Sequence, residues 1–327
     1  MRIFDEFIEK VELGKSGGNV GLPHRFNKLL EYIPNIQKET YYTVGGDLGT
    51  GKTSFVDDMF VSSPLELKTN EELVILYFSL EVSAIQKLSK FISRKLFLET
   101  GEIYDTNFIL SRGKNRISQP IYDKVVSYRN YFESISDNLL IYDNPINPTG
   151  IRNLIIDVFK QRGLGSISTD QHNRMIVEHT ELGKKTYFLV ILDHIGLMSR
   201  ESGYSKKENI DKMSEYFIML RNKLKISPII ISQFNRSIAS TDRHKLHMVV
   251  PQLSDFSDSA STQQDANIVL ALFHPHRYGI KTLTVNGSEF NVEKTTRGLW
   301  LLKNRDGADS AQILMDFNGA VSYFKQI

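Results

Sequence analysis

The run VGGDLGTGKTSF at residues 44–55 limits what this chain can be more than any other feature. It holds the spacing Gly46-x-x-x-x-Gly51-Lys52-Thr53, behind an apolar run and ahead of a helix-like stretch. Glycines let successive backbone N–H groups turn toward one anion, and a helix N-terminus adds favourable partial charge. In such a loop Lys52 reaches the β- and γ-phosphates of a nucleotide, and the Thr53 hydroxyl ligates Mg²⁺. Gly46, Gly49, Thr50, Gly51, Lys52, Thr53 and Ser54 are therefore the expected phosphate-binding set, for ATP or another NTP. The spacing arises by chance in roughly one chain in a hundred of this length.

Seven short apolar runs frame this loop, at residues 41–44, 73–78, 139–142, 188–192, 229–232, 268–272 and 299–302. They are rich in Ile, Val and Leu and mostly separated by helix-length segments. That pattern predicts an α/β fold: a mostly parallel sheet covered by helices on both faces. The Asn286-Gly287 step between alternating residues predicts a β-hairpin toward the C-terminus. Residues 163–185 are polar and read as an unperiodic surface insertion. Near the N-terminus, Ile3, Phe4, Phe7, Ile8 and Val11 share one face of an amphipathic helix, which Gly14, Gly17 and Gly18 are expected to end. So short a helix must dock its apolar face, either on its own core or on a neighbouring subunit. The division expected is residues 1–20 as helix and glycine leash, and 21–327 as one ATPase unit.

Composition excludes several classes. No run of eighteen apolar residues exists, so no membrane-spanning helix is expected. Cysteine is absent, which rules out disulfides and thiolate metal sites and fits a reducing cytoplasm. The net charge is only +2, so any nucleic-acid contact must come from local basic loops.

Phosphoryl transfer also needs carboxylates. The run YFLVILD ends in Asp193, at the C-terminal edge of a strand, where such sheets bind ligands; with Thr53 it is the candidate metal pair. LVILYFSLE delivers Glu81 just beyond its strand, either as the base that polarises water or as a helix N-cap acid. PIIISQ ends in Gln233, whose amide could sense the γ-phosphate.

With these residues assembled, the chain resembles the C-terminal motor domain of DnaB-family replicative helicases, a RecA-like ATPase. GLPHRFNKLL resembles the segment leading into the P-loop strand, and YFSLEVS the strand carrying the catalytic glutamate, which favours Glu81 as base. LLIYDNPINPTGIRNLI is similar to the third strand and its helix, ILDHIGLMS to the Walker B segment and IIISQFNRS to the glutamine motif. PQLSDFSDSASTQQDANIVLAL resembles the segment with a DNA-binding loop, and LLKNRDG the element that supplies a basic pair to the neighbour's nucleotide. The resemblance implies a ring-forming helicase, a hexamer by family pattern, that uses ATP and Mg²⁺ to move 5′→3′ on single-stranded DNA. It assigns Lys303 and Arg305 to the arginine-finger pair and the N-terminal helix to a linker that docks on the adjacent protomer. Primase and a helicase loader are the partners it suggests.

The sequence departs from that pattern in places. No counterpart of the large N-terminal domain of cellular DnaB proteins is expected from this sequence, which would suggest a compact form of the kind a phage or mobile element encodes. The DNA loop reads Ser257-Asp258-Ser259-Ala260 where the family commonly has arginine and glycines, and Asp258 would repel phosphate. Ser257 and Ser259 remain candidate DNA contacts, with Arg200, Lys206, Lys207 and Arg236 as basic replacements. His194 stands where the family has an aromatic residue and reads as a buried, hydrogen-bonded histidine; His274 and His276 lack a third metal ligand nearby. Two rival readings share the motifs: a filament-forming recombination or loader ATPase, and a slow structural or regulatory NTPase.

Overall fold

A computed structural model describes residues 3–18, 20–67, 71–235, 238, 240, 243, 249–256 and 260–327. All seven apolar runs form strands of one nine-stranded sheet. Its members are β1 (Tyr42–Gly46), β2 (Leu73–Ser79), β3 (Leu139–Tyr142), β6 (Tyr187–Asp193), β7 (Ile226–Gln233), β8 (Ile268–Phe273), β11 (Thr296–Asn304), β12 (Gln312–Asn318) and β13 (Tyr323–Gln326). They lie in the order β13-β12-β11-β8-β1-β7-β6-β2-β3. The six strands from β8 to β3 pair in parallel, and β11, β12 and β13 add antiparallel pairs at one side. The last two strands had no counterpart among the apolar runs. Their alternation is interrupted by Asp316 and by polar residues at both ends.

Period-two alternation divides each central strand between two cores. Tyr42 and Val44, Leu189 and Ile191 face one layer, while Tyr41, Phe188, Val190 and Leu192 face the other. The first layer packs under α2 (Lys52–Val56), which widens into a π-helical turn over Asp57–Ser62, and under α3 (Ala84–Thr100). The second packs under α4 (Pro148–Gln161) and α5 (Lys206–Leu224). Phe217 of α5 is fully buried and meets Tyr41 edge-on at 6.0 Å. Burying one such ring stabilises the fold by about 1.5–3 kcal/mol.

The expected hairpin forms between β9 (Thr282–Val285) and β10 (Ser288–Asn291), as a two-stranded sheet of its own. Asn286 and Gly287 both have positive φ, 52° and 80°, the turn geometry that an Asn-Gly step favours. Residues 163–185 correct the sequence reading. They are not structureless but contain a second hairpin, β4 (Gly165–Thr169) with β5 (Met175–His179), followed by a helix over Glu181–Lys185. Ile167, Met175 and Val177 of this hairpin pack on the second core. The alternation was present but too short, and too polar on its outer face, to stand out.

The N-terminal helix, α1 (Ile3–Lys15), runs one residue past Gly14 before Ser16, Gly17 and Gly18 turn the chain. Its apolar face does not dock on its own core. Ile3, Phe4, Phe7, Ile8 and Val11 are 37–87% exposed. Among the described residues, no helix is long and apolar enough to cross a membrane.

Candidate nucleotide site

The P-loop follows β1 at the C-terminal edge of the parallel strands. Gly51 caps α2 with φ 94°, and Gly49 has φ 70°, conformations that side chains resist. A Cβ at Gly46 would meet the Leu272 carbonyl at 2.7 Å, and one at Gly51 the Phe317 ring at 2.9 Å. The Thr50 hydroxyl donates to the Asp47 carbonyl at 2.8 Å, and Lys52 Nζ donates to the same oxygen at 2.9 Å. The Ser54 hydroxyl is turned to Ser322, 3.1 Å away, so Ser54 offers the loop its backbone N–H.

Three further strand ends meet this loop. Thr53 Oγ1 donates to Asp193 Oδ1 at 3.1 Å, so the two candidate metal ligands are already adjacent. A pocket of about 200 Å³ is lined by Gly49, Gly51, Lys52 and Thr53 together with Glu81 and Gln233. Asp193 is fully buried, whereas Glu81 is exposed in the loop after β2. The N-cap of α3 is Ser83, in a capping box with Gln86, so the capping role considered for Glu81 is taken by another residue. His194 also lines the pocket, and its Nδ1 accepts the Gly196 N–H at 3.2 Å.

A family profile described as the DnaB-like helicase C terminal domain matches residues 21–326. The chain belongs to this family. It is 26% identical over 268 residues to the replicative DNA helicase DnaB of Helicobacter pylori, covering 80% of this chain and 45% of that protein. The chain spans about half the length of the first curated relatives it matches. Among solved structures, one described as an ATPase domain aligns with a TM-score of 0.72 at 18% identity, covering 99% of this chain and 98% of that one. A DnaB-like replicative helicase described with its interactions with primase aligns at 0.69 and 17%, covering 99% and 68%. The fold is thereby that of RecA-like helicase ATPase domains.

Lys303 and Arg305, expected as a basic pair, are not in this pocket. Lys303 and Arg305 sit at the far end of β11, where Lys303 pairs with Val269 and Asn304 with Ile268, at the start of β8. Gly46 pairs instead with Leu272, four residues on, or roughly 13 Å along the sheet. Lys303 Nζ donates to the Gln263 and Gln264 carbonyls at 2.9 and 2.7 Å, and Arg305 Nη2 donates to the Gln264 carbonyl at 2.5 Å. Both thus point to one side of the strand, at the C-terminal end of the Ala260–Asp265 helix, where cations suit the helix dipole. Of the candidate DNA contacts, Arg200, Lys206 and Lys207 are exposed on the loop after β6 and the first turn of α5. Two lysines in a first turn oppose the helix dipole, so they do little for the helix itself. Arg236, Ser257 and Ser259 lie outside the described residues.

Several residues that shape the site were not anticipated. Tyr278 OH donates to Asp47 Oδ2 at 2.9 Å, Arg277 donates to the Leu48 carbonyl, and Arg297 Nε donates to the Thr50 carbonyl at 3.1 Å. Burial lowers Arg297 to about 10, still cationic at neutral pH. On the other side, Tyr77 OH donates to Asp193 Oδ2 at 3.2 Å, and Lys87 Nζ lies 3.6 Å from the same oxygen. Burial and the nearby carboxylates push the Tyr77 hydroxyl well above its ordinary value, so it keeps its proton and donates. A lysine on the buried face of α3 was the one signal that could have drawn attention to this group.

Two substitutions test the pocket. Lys52→Ala is expected to abolish NTP turnover in a folded protein, because it would remove the charge expected to hold the β- and γ-phosphates. Glu81→Gln is expected to keep nucleotide binding while hydrolysis falls about 10²–10⁴-fold. Equal loss of binding and turnover would show that Glu81 is structural.

Proposed function

We propose that this chain is the ATP-driven motor of a DnaB-type replicative helicase, translocating on single-stranded DNA as a homo-oligomeric ring, most simply a hexamer. The observation that carries this reading is the division of the site between two edges of the sheet. The P-loop, Asp193, Glu81 and Gln233 gather at one edge, and Lys303 and Arg305 stand at the other. A basic pair out of reach of its own γ-phosphate can complete a neighbour's site, which makes hydrolysis depend on assembly.

The donor set fits Mg²⁺ and ATP: a hydroxyl and a carboxylate, both hard oxygen ligands, beside a glycine-rich anion cradle. When bound, Mg²⁺ neutralises charge on the β- and γ-phosphate oxygens. Lys52 holds the same phosphates, and Glu81 accepts the proton of the attacking water. Gln233 reports the γ-phosphate to its strand. Arg305 of an adjacent subunit stabilises charge that develops in the transition state, an effect of about 10³–10⁵ in rate for arginine fingers. Arg200, Lys206 and Lys207 offer phosphate contacts to DNA, and a primase or loader would be the partner class.

The exposed face of α1 supports the same assembly. An apolar groove of about 510 Å³ lies between α3, the helices Gln119–Ser127 and Arg129–Ser136, and β3. Ile85, Leu88, Ile92, Val126 and Ile135 line it. An amphipathic helix with an uncovered face and an unfilled apolar groove on one chain are complementary halves of a head-to-tail contact, with the helix of one subunit seated on the next.

Two experiments test this reading. Arg305→Ala should keep nucleotide binding and lose turnover. Mixing it with Lys52→Ala should recover part of the activity, rising with protein concentration, because mixed oligomers contain some sites with both a good P-loop and a good finger. No recovery despite subunit exchange would count against a finger in trans. Deleting residues 1–13 should leave the melting temperature unchanged and reduce oligomer mass in the presence of nucleotide. Unchanged mass would dismiss α1 as an assembly element, and electron micrographs showing open filaments would favour a recombination-type ATPase.

A further inference from the structure

Behind the pocket lies a buried polar cluster that does not line it. Lys87 of α3 is fully buried, and its ammonium donates to both oxygens of Asp57 at 3.1 and 3.2 Å and to the Tyr77 hydroxyl at 2.7 Å. Asp57 opens the π-helical turn that continues the P-loop helix. Tyr77 donates its own proton forward, to Asp193 Oδ2 at 3.2 Å. The two oxygens of Asp193 are thus divided: Oδ2 faces Tyr77 and Lys87, and Oδ1 faces Thr53 at 3.1 Å.

We propose that Lys87, Tyr77 and Asp57 are positioning residues that lock the Asp193 carboxylate by its rear oxygen, so that its front oxygen is presented with Thr53 to a divalent cation. This rests on the reading of the pocket as a nucleotide site. A free carboxylate on a strand end can rotate about its last bond, and each rotation moves the oxygen a metal must meet. The Tyr77 hydroxyl bonded to Oδ2, with the Lys87 ammonium 3.6 Å behind it, removes that freedom before the metal arrives, as outer-shell partners do for ligands in metal sites generally. Packing alone gives no reason for the cluster, since a buried ion pair rarely stabilises more than an apolar pair of similar volume. What an apolar pair would not provide is the hydrogen-bonded path in which Lys87, held by Asp57, donates to Tyr77 and Tyr77 donates to Asp193. The same contacts tie α3, and the Glu81 loop ahead of it, to the helix that begins at Lys52.

The test uses two changes that keep the net charge of the cluster, so that no lone buried charge is left beside Asp193. Tyr77→Phe removes one hydroxyl. Lys87→Met with Asp57→Leu removes one positive and one negative charge together, leaving the net charge of the cluster unchanged. The readouts are melting temperature and the Mg²⁺ dependence of binding a fluorescent N-methylanthraniloyl ATP, with binding in EDTA as the metal-free reference. We expect folded variants whose half-saturating Mg²⁺ rises about 10–100-fold, with EDTA binding unchanged. Lys87→Met alone is expected to lower the melting temperature, and adding Asp57→Leu to restore it without restoring Mg²⁺ affinity. Wild-type Mg²⁺ dependence in both folded variants would overturn the positioning role. If the double variant fails to fold, Tyr77→Phe alone decides by the same measure. Wild-type protein that binds the analogue no better with Mg²⁺ than with EDTA would instead sink the underlying nucleotide-site reading, a distinguishable result.

Discussion

Parallel strands end together. Six strands run the same way here, so the residues that follow β1, β2, β6 and β7 are brought to one edge of the sheet without any contact between them in sequence. At that edge the sheet's backbone hydrogen bonding ends, and side chains and loop amides take over. The hydrogen bond from Thr53 to Asp193 spans 140 positions of sequence, and it is short because β7 alone separates their strands. Every proposed catalytic role in the pocket depends on that shared polarity. The antiparallel β11 depends on it in the opposite sense. Its end falls at the other edge and carries Lys303 and Arg305 away from the pocket of their own chain.

Such a sheet must be apolar on both faces, and β1, β2, β6 and β8 are buried along their whole length. Buried charges beside it are found in pairs. Asp57 and Asp58 are adjacent in one π-helical turn, and each meets a cation from α3, Lys87 and Arg94, seven residues apart on one helical face. Leaving either carboxylate unpaired there would be costly. These pairs consequently fix where α3 sits on the P-loop helix more sharply than apolar contacts could, and α3 begins just after Glu81.

Much of the fold could be read because its signals were local. Apolar runs of four to six residues marked the strands, and the glycine spacing marked the loop. Asn286-Gly287 marked its turn through the backbone angles that those residues tolerate. The β4–β5 hairpin was missed because its buried face is only Ile167, Met175 and Val177, too short a stripe to register against polar neighbours. In the site, Asp193, Glu81 and Gln233 were found by one rule, a polar residue at the end of an apolar strand. Tyr77 and Lys87 obey no such rule. Tyr77 sits inside an apolar strand, where a hydroxyl looks incidental, and Lys87 sits on a helix, where lysine ordinarily faces water. Only their convergence on Asp57 and Asp193 gives them meaning, and convergence is a property of the folded chain.

The N-terminal helix poses the complementary problem. Its periodicity was plain, and helix formation followed, but amphipathicity says only that a face must be covered and not by what. In the single chain Ile3 and Phe4 remain 87% and 67% exposed, while the groove beside α3 is also uncovered. Association would remove both apolar surfaces from water at once, at roughly 25 cal/mol per Å² buried. Because the helix and the groove are different surfaces, a helix seated on one neighbour leaves its own chain's groove for another. Repeated head to tail, such a contact would build a ring or a filament, as in the proposed assembly; exchanged reciprocally between two chains, it would build a swapped dimer. The proposed sharing of a site between the basic pair of one chain and the P-loop of the next would use the same head-to-tail relation, so two unrelated features of the chain, one apolar and one charged, are compatible with one symmetry.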